Sequence, residues 1–158
     1  MKIAKYLFVL LCVWQSKGQE STVISTPLST QACADELFYG RDAYGAIYSG
    51  TKQLLNKTAD KQIWQYKNPS LGSISQVILT NPLKLVLYYE SFNTVVLLDN
   101  QLNEIEKVVL SSLATPLVAS AVGLAEGNKL WIYNSLTNQL GLLNLKNKDY
   151  QVISTPFT

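Results

Sequence analysis

From about residue 37 onward the chain is a succession of short apolar runs broken by Asn, Asp, Gly and Pro. That pattern predicts short strands joined by tight turns. Two stretches align without a gap at an offset of 45 residues, KLVLYYESFNTVVLL (84–98) and KLWIYNSLTNQLGLL (129–143). Lys84 falls on Lys129, Leu85 on Leu130, Tyr88 on Tyr133, Asn93 on Asn138, and Leu97-Leu98 on Leu142-Leu143. Each reads as a hairpin with the shared Asn in the turn, where its side chain tolerates positive φ. An apolar run precedes each hairpin (SQVILT, SAVGLA) and another follows (IEKVVL, YQVIS). Four short strands in about 45 residues is the spacing of a β-propeller blade.

A weaker first copy draws its strands from Leu37–Tyr39, Gly45–Tyr48, Gln53–Leu55 and Gln62–Tyr66. Pro27, Pro69, Pro116 and Pro156 lie 42, 47 and 40 residues apart and mark the seams, since proline cannot donate to a sheet ladder. Val23-Ile24-Ser25-Thr26-Pro27 recurs 129 residues later as Val152-Ile153-Ser154-Thr155-Pro156. The first VISTP therefore stands where an N-terminal closing strand would complete a ring. The expected fold is all-β: a partial β-propeller of about three four-stranded antiparallel blades plus that strand.

Leu85–Tyr89 and Val95–Leu98 are continuous apolar runs rather than alternations, as expected of a sheet covered on both faces. Gly127-Asn128 and Asp99-Asn100 supply further turn signals, and no stretch reads as an amphipathic helix. Closed propellers have about four to eight blades. Three imply either a piece of a longer protein, which we favour, or separate chains that assemble into a ring. Three blades alone should expose two apolar faces.

The first residues change the charge picture. Lys2 and Lys5 precede an apolar stretch from Tyr6 to Trp14, and Ser16 and Gly18 suit the −3 and −1 positions of a signal peptidase, giving a signal peptide over 1–18. The stretch is too short to span a bilayer. A lipoprotein at Cys12 would need a small residue where Leu11 stands. Removing Lys2, Lys5 and Lys17 leaves ten basic residues against eleven acidic, so the formal +2 becomes −1. With no basic stripe and one arginine, Arg41, nucleic acid is not an expected partner. Cys33 remains as the lone cysteine, expected to be a small buried residue, with an intermolecular bridge as the alternative. Residues 19–158 form the propeller, exported to the periplasm or outer-membrane surface, with no transmembrane span after cleavage.

The chain has no histidine, which removes Ser-His-Asp and Cys-His catalysis and HExxH zinc sites. One mature cysteine builds no zinc or iron–sulfur site, and no glycine-rich phosphate loop occurs. No catalytic or metal-ligating residue and no cofactor is expected. Asp35, Glu36 and Asp42 could form an acid or calcium site but read better as turn formers. Asp99–Glu104 reads as a polar turn lacking the ligand spacing of an EF-hand. Tyr88, Tyr89, Trp131, Tyr133, Trp64 and Tyr66 read as core, with a sugar- or peptide-binding surface as the alternative. Asn56-Lys57-Thr58 matches a glycosylation sequon.

The segment Tyr133–Leu140 resembles the strand–turn–strand of quinoprotein-like and WD-like repeats, with Asn134 in place of Asp, Asn138 in place of Gly, and no later Trp. Such repeats occur in cofactor-dependent dehydrogenases and in non-enzymatic assembly scaffolds; the departures argue against the former. The mature chain, notably NPLKLVLYYESFNTVVLLDNQLNEIEKV, resembles the uncharacterised exported propeller-like proteins of Bacteroidota, which implies an envelope location. The leading expectation is a non-catalytic scaffold with protein partners at the cell envelope. Alternatives are a ligand-binding or enzymatic propeller (lyase, lactonase or quinoprotein-like) and a carbohydrate- or peptide-binding surface.

Overall fold

The computed structural model describes residues 25–27 and 36–158 and divides the chain into two units, Met1–Ala32 and Cys33–Thr158. The signal peptide, Cys12, Val23-Ile24, Cys33 and Asp35 lie outside the described residues. In the first unit Ser25–Pro27 are exposed and belong to no strand.

The second unit is a partial β-propeller of three four-stranded antiparallel sheets, each a meander of consecutive strands. Blade 1 is β1 (Leu37–Arg41), β2 (Ile47–Thr51), β3 (Leu54–Ala59) and β4 (Gln62–Lys67). Blade 2 is β5 (Gln76–Ile78), β6 (Leu85–Tyr89), β7 (Thr94–Leu98) and β8 (Glu104–Val109). Blade 3 is β9 (Ala119–Ala125), β10 (Lys129–Asn134), β11 (Gln139–Asn144) and β12 (Tyr150–Val152). Three prolines fall in the seams: Pro69 opens a 3-10 turn after β4, Pro116 lies between β8 and β9, and Pro156 follows β12.

Blade 2 shows why its strands are continuously apolar. Leu85, Leu87, Tyr89, Val96 and Leu98 pack into a core shared with Tyr48, Leu55 and Tyr66 of blade 1. Val86, Tyr88, Val95 and Leu97, the alternate positions, pack with Leu130, Ile132 and Leu143 of blade 3. Every residue of β6 and β7 is buried, as a sheet covered on both faces requires. Burying such a side chain contributes about 1.5–3 kcal/mol. In β10 burial alternates, with Leu130, Ile132 and Asn134 turned to the core, because among the described residues blade 3 is covered on one face only.

Asn93 (φ 45°) and Asn138 (φ 51°) occupy the left-handed turn position that the repeat assigned them, and Gly127 and Asn128 also have positive φ. The first copy is shifted from its sequence boundaries. Gly45 and Ala46 belong to a loop, not to β2, because the Asp42 carboxylate accepts from the Tyr44 and Ala46 amides at 2.9 and 3.0 Å and competes with strand pairing. The turn to β3 accordingly falls at Lys52-Gln53.

Candidate functional site: blade sockets and outward faces

The seam between blades 2 and 3 is held by a polar socket at the β6–β7 turn. Asn93 Nδ2 donates to the Leu117 carbonyl at 2.5 Å, and its Oδ1 accepts from the Ala119 amide at 3.1 Å. The Tyr88 hydroxyl donates to the Ala119 carbonyl at 2.6 Å. Burial pushes the Tyr88 hydroxyl up to about 12, so it stays protonated and donating at neutral pH. Between the first strands of the two blades, Gln76 Nε2 donates to the Val122 carbonyl at 2.9 Å, tying β5 to β9.

The seam between blades 1 and 2 is built differently. Lys57 occupies the centre of the interface, its Nζ donating to the Asn100 carbonyl at 2.7 Å and lying 5.7 and 5.5 Å from the Tyr48 and Trp64 ring centroids. Its burial leaves it 8% exposed, so the charge is compensated by that carbonyl and the two ring faces. Tyr66 donates to Glu104 at 2.8 Å across the seam, and burial with the Glu104 contact raises its hydroxyl to about 12. Tyr89 is buried beside it, its hydroxyl without a hydrogen-bond partner among the described residues.

Of the expected acidic trio, Asp35 lies outside the described residues, and Glu36 and Asp42 do not converge. Asp42 is buried and, besides its loop amides, accepts from the Tyr48 hydroxyl at 3.0 Å, which makes it a turn lock. Glu36 bonds Ser49 at 2.6 Å on the far side of blade 1. Asp99 closes the β7–β8 turn by accepting from Gln101 and Asn103, and the Asn103 amide holds its pKa below the usual carboxylate value. Among the described residues no three of His, Cys, Asp and Glu gather as metal ligands. A cleft of about 330 Å³ lies between the β5–β6 and β9–β10 loops, lined by Asn81, Lys84, Leu124, Glu126 and Asn128 among others. Lys84 bonds Asn128 across it.

The two outward faces are unlike each other. On blade 1 a polar ladder runs from Glu36, just ahead of β1, across β2, β3 and β4: Ser49 and Asn56 bond Glu36, and Gln65 bonds Asn56 at 3.0 Å. Phe38, Ile47, Leu54 and Ile63 flank it. The sequon asparagine is thus a mid-strand member of the ladder. Among the described residues the two outward faces expected to be apolar both expose apolar side chains, but the blade 1 face mixes Phe38 and Ile63 with the polar ladder, and the blade 3 face is apolar at its centre. There Trp131 pairs with Leu142 and Gly123, and Tyr133 pairs with Leu140 and Ala121. Phe157 packs on the Tyr133 ring at 5.9 Å between centroids. Of the aromatics read as core, Tyr88, Tyr89 and Tyr66 are buried, Trp64 is half-buried against the core, and Trp131 and Tyr133 lie half-buried on this outward face.

No family model matches the chain, and no curated protein matches it. Solved structures do. A streptogramin B lyase superposes with a TM-score of 0.54 at 17% identity, over 76% of this chain and 41% of that one. A catalytically inactive histidine-to-alanine variant of virginiamycin B lyase from Staphylococcus aureus, solved with quinupristin, gives 0.54 at 15% identity, over 77% and 42%. PorZ, a surface component of the type-IX secretion system of Porphyromonas gingivalis, superposes at 0.33 with 12% identity, over 69% and 21%. The likeness to the two lyase structures is one of fold, that of a partial β-propeller. The chain spans less than half the length of each of these structures.

Proposed function

We propose that the protein is an exported propeller module that works as a non-catalytic protein-interaction scaffold at the cell envelope. The observation that carries this reading is the use of its buried polar groups. Among the described residues Asp42, Lys57, Thr94 and Asn134 are buried polar or charged residues, and each bonds within the fold; the unpartnered Tyr89 hydroxyl belongs to a side chain of the core shared by blades 1 and 2. The bonded groups are consumed in locking turns and joining blades, whereas an enzyme keeps such groups aimed at a substrate cleft. The sequence adds that these 158 residues hold no histidine, the residue type replaced in the inactive lyase variant. The signal-like segment 1–18 supports export, and among the described residues no helix is long and apolar enough to cross a membrane.

The test has two arms. Mass spectrometry of protein recovered from the host envelope should find an N-terminus at Gln19. Crosslinking in the envelope, followed by purification at physiological salt, should recover a stable partner protein. Full-length chain retained in the cytoplasm, or no partner in the envelope, overturns the reading.

A further inference from the structure

The outward face of blade 3 repeats, position by position, the face with which blade 2 receives blade 3. At the constant offset of 45, Ala121 stands for Gln76, Gly123 for Ile78, Trp131 for Val86, Tyr133 for Tyr88, Leu140 for Val95, Leu142 for Leu97 and Ile153 for Val108. In blade 2 the six apolar members of this set are buried against blade 3. In blade 3 their counterparts are half-exposed or exposed: Ile153 is 49% accessible where Val108 is 3%.

The polar socket is repeated as well. The Tyr133 hydroxyl lies 3.4 Å from Asn138 Oδ1, the separation found between Tyr88 and Asn93. The Asn138 carbonyl accepts from the Phe157 amide at 2.8 Å, as the Asn93 carbonyl accepts from Leu110 at 2.9 Å. What differs is the entering strand. Among the described residues nothing takes the bonds that Leu117 and Ala119 take from Asn93 and Tyr88.

From this we infer that the blade 3 face docks a further propeller blade, a four-stranded antiparallel sheet whose innermost strand enters through an apolar–x–small segment equivalent to Leu117-Val118-Ala119. The inference goes beyond the scaffold reading and does not depend on it. The geometry also opposes a second copy of this chain added head to tail. Its blade 1 would bring the Glu36–Ser49–Asn56–Gln65 ladder against Trp131 and Leu142, burying a carboxylate opposite apolar groups.

The experiment extends the chain with a blade known to fit such a face. Residues 1–156, carrying Cys12→Ser, Cys33→Ser and Ile153→Cys, are followed by an unsubstituted second copy of residues 117–158, so that the one cysteine is that at 153 of the first copy. Maleimide labelling of Cys at 153 should slow at least 10-fold relative to the unextended chain, and Asn138→Ala should restore most of the rate. An extended chain whose added blade folds by circular dichroism while labelling stays fast overturns the inference. So does an added blade that stays unfolded, because the same residues fold against blade 2. Labelling of the unextended chain that slows with concentration, alongside dimers in sedimentation, overturns it in favour of a second copy. None of these outcomes bears on envelope partners, which the crosslinking arm reads separately.

Discussion

The Tyr88 hydroxyl and the Ala119 carbonyl meet at 2.6 Å across the seam between blades 2 and 3, in the interior of the interface. A single hydrogen bond there fixes where the next strand begins. Beside it, Asn93 bonds the backbone at Leu117 and Ala119, so three bonds to one short segment set the register of blade 3 against blade 2.

Asn93 and Asn138 share a backbone conformation and differ in what their side chains hold, so paired substitutions separate the two roles. Asn93→Ala should cost about 2–4 kcal/mol, combining left-handed strain with two unsatisfied backbone groups. Asn138→Ala should cost only about 1–2 kcal/mol, mainly from the strain, since the exposed Tyr133 contact it also removes is long, at 3.4 Å. Urea denaturation of the two variants checks this, and Asn93→Gly, which relieves the strain, should still lose about 1–2 kcal/mol.

Gly141 has no room for a side chain. A Cβ there would sit 2.4 Å from the Tyr150 ring and 2.6 Å from the Gln151 carbonyl. Gly141→Ala should therefore detach β12, and the amides of residues 150–152 should exchange as fast as in an unstructured peptide. Tyr150→Ala added to it should not restore protection, because the backbone carbonyl still clashes.

Lys57 stands at the position that blade 2 fills with Leu97, yet it is bonded to Asn100 and flanked by two rings. Lys57→Met keeps the stem, removes the charge and leaves the Asn100 carbonyl unpaired, for an expected loss of about 1–2 kcal/mol. Lys57→Glu puts an unpaired carboxylate in the same place and should cost at least 3 kcal/mol, roughly the penalty of a broken buried pair. Thermal melts should show blade 1 loosening first.

Alkaline pH should weaken the blade interfaces. Tyr66 and Tyr88 are raised from 10.0 to about 12, Tyr48 and Tyr89 are raised further, and burial is the leading cause throughout. In the unfolded chain these phenols ionise near 10, whereas in the folded chain they keep their protons. The stability they confer is complete below pH 10 and declines between about 10 and 12 for Tyr66 and Tyr88. Each contributes up to about 1.4 kcal/mol per pH unit in that window. Denaturation midpoints measured from pH 8 to 11 should be flat at first and then fall, and Tyr66→Phe should reduce the fall.

The repeat was legible because Asn93 and Asn138 need the same backbone conformation and their flanking strands need the same core. The three-blade architecture and the turn positions of blades 2 and 3 follow from that offset. Blade 1 was read less well, since its edges depend on Asp42 reaching forward to two amides, and side-chain competition with strand pairing leaves no periodic trace. Trp131 and Tyr133 read as core because periodicity tells which residues share a face but not whether a second sheet covers it. Lys57 escaped notice for a related reason. In LLNKTA it alternates with apolar Leu55 on the inward face, and that alternation was the one signal of its burial. The N-terminal closing strand expected from VISTP falls largely outside the described residues, and Ser25–Pro27 form no strand.

The polar ladder on blade 1 gives the module a direction. An interface between unlike faces repeats without limit when each end matches the other, and fibres form that way. Here the blade 3 face is apolar at its centre, while the blade 1 face carries hydrogen bonds already spent among Glu36, Ser49, Asn56 and Gln65. Stacking copies end to end would bury that carboxylate against apolar side chains, a mismatch that disfavours open-ended growth.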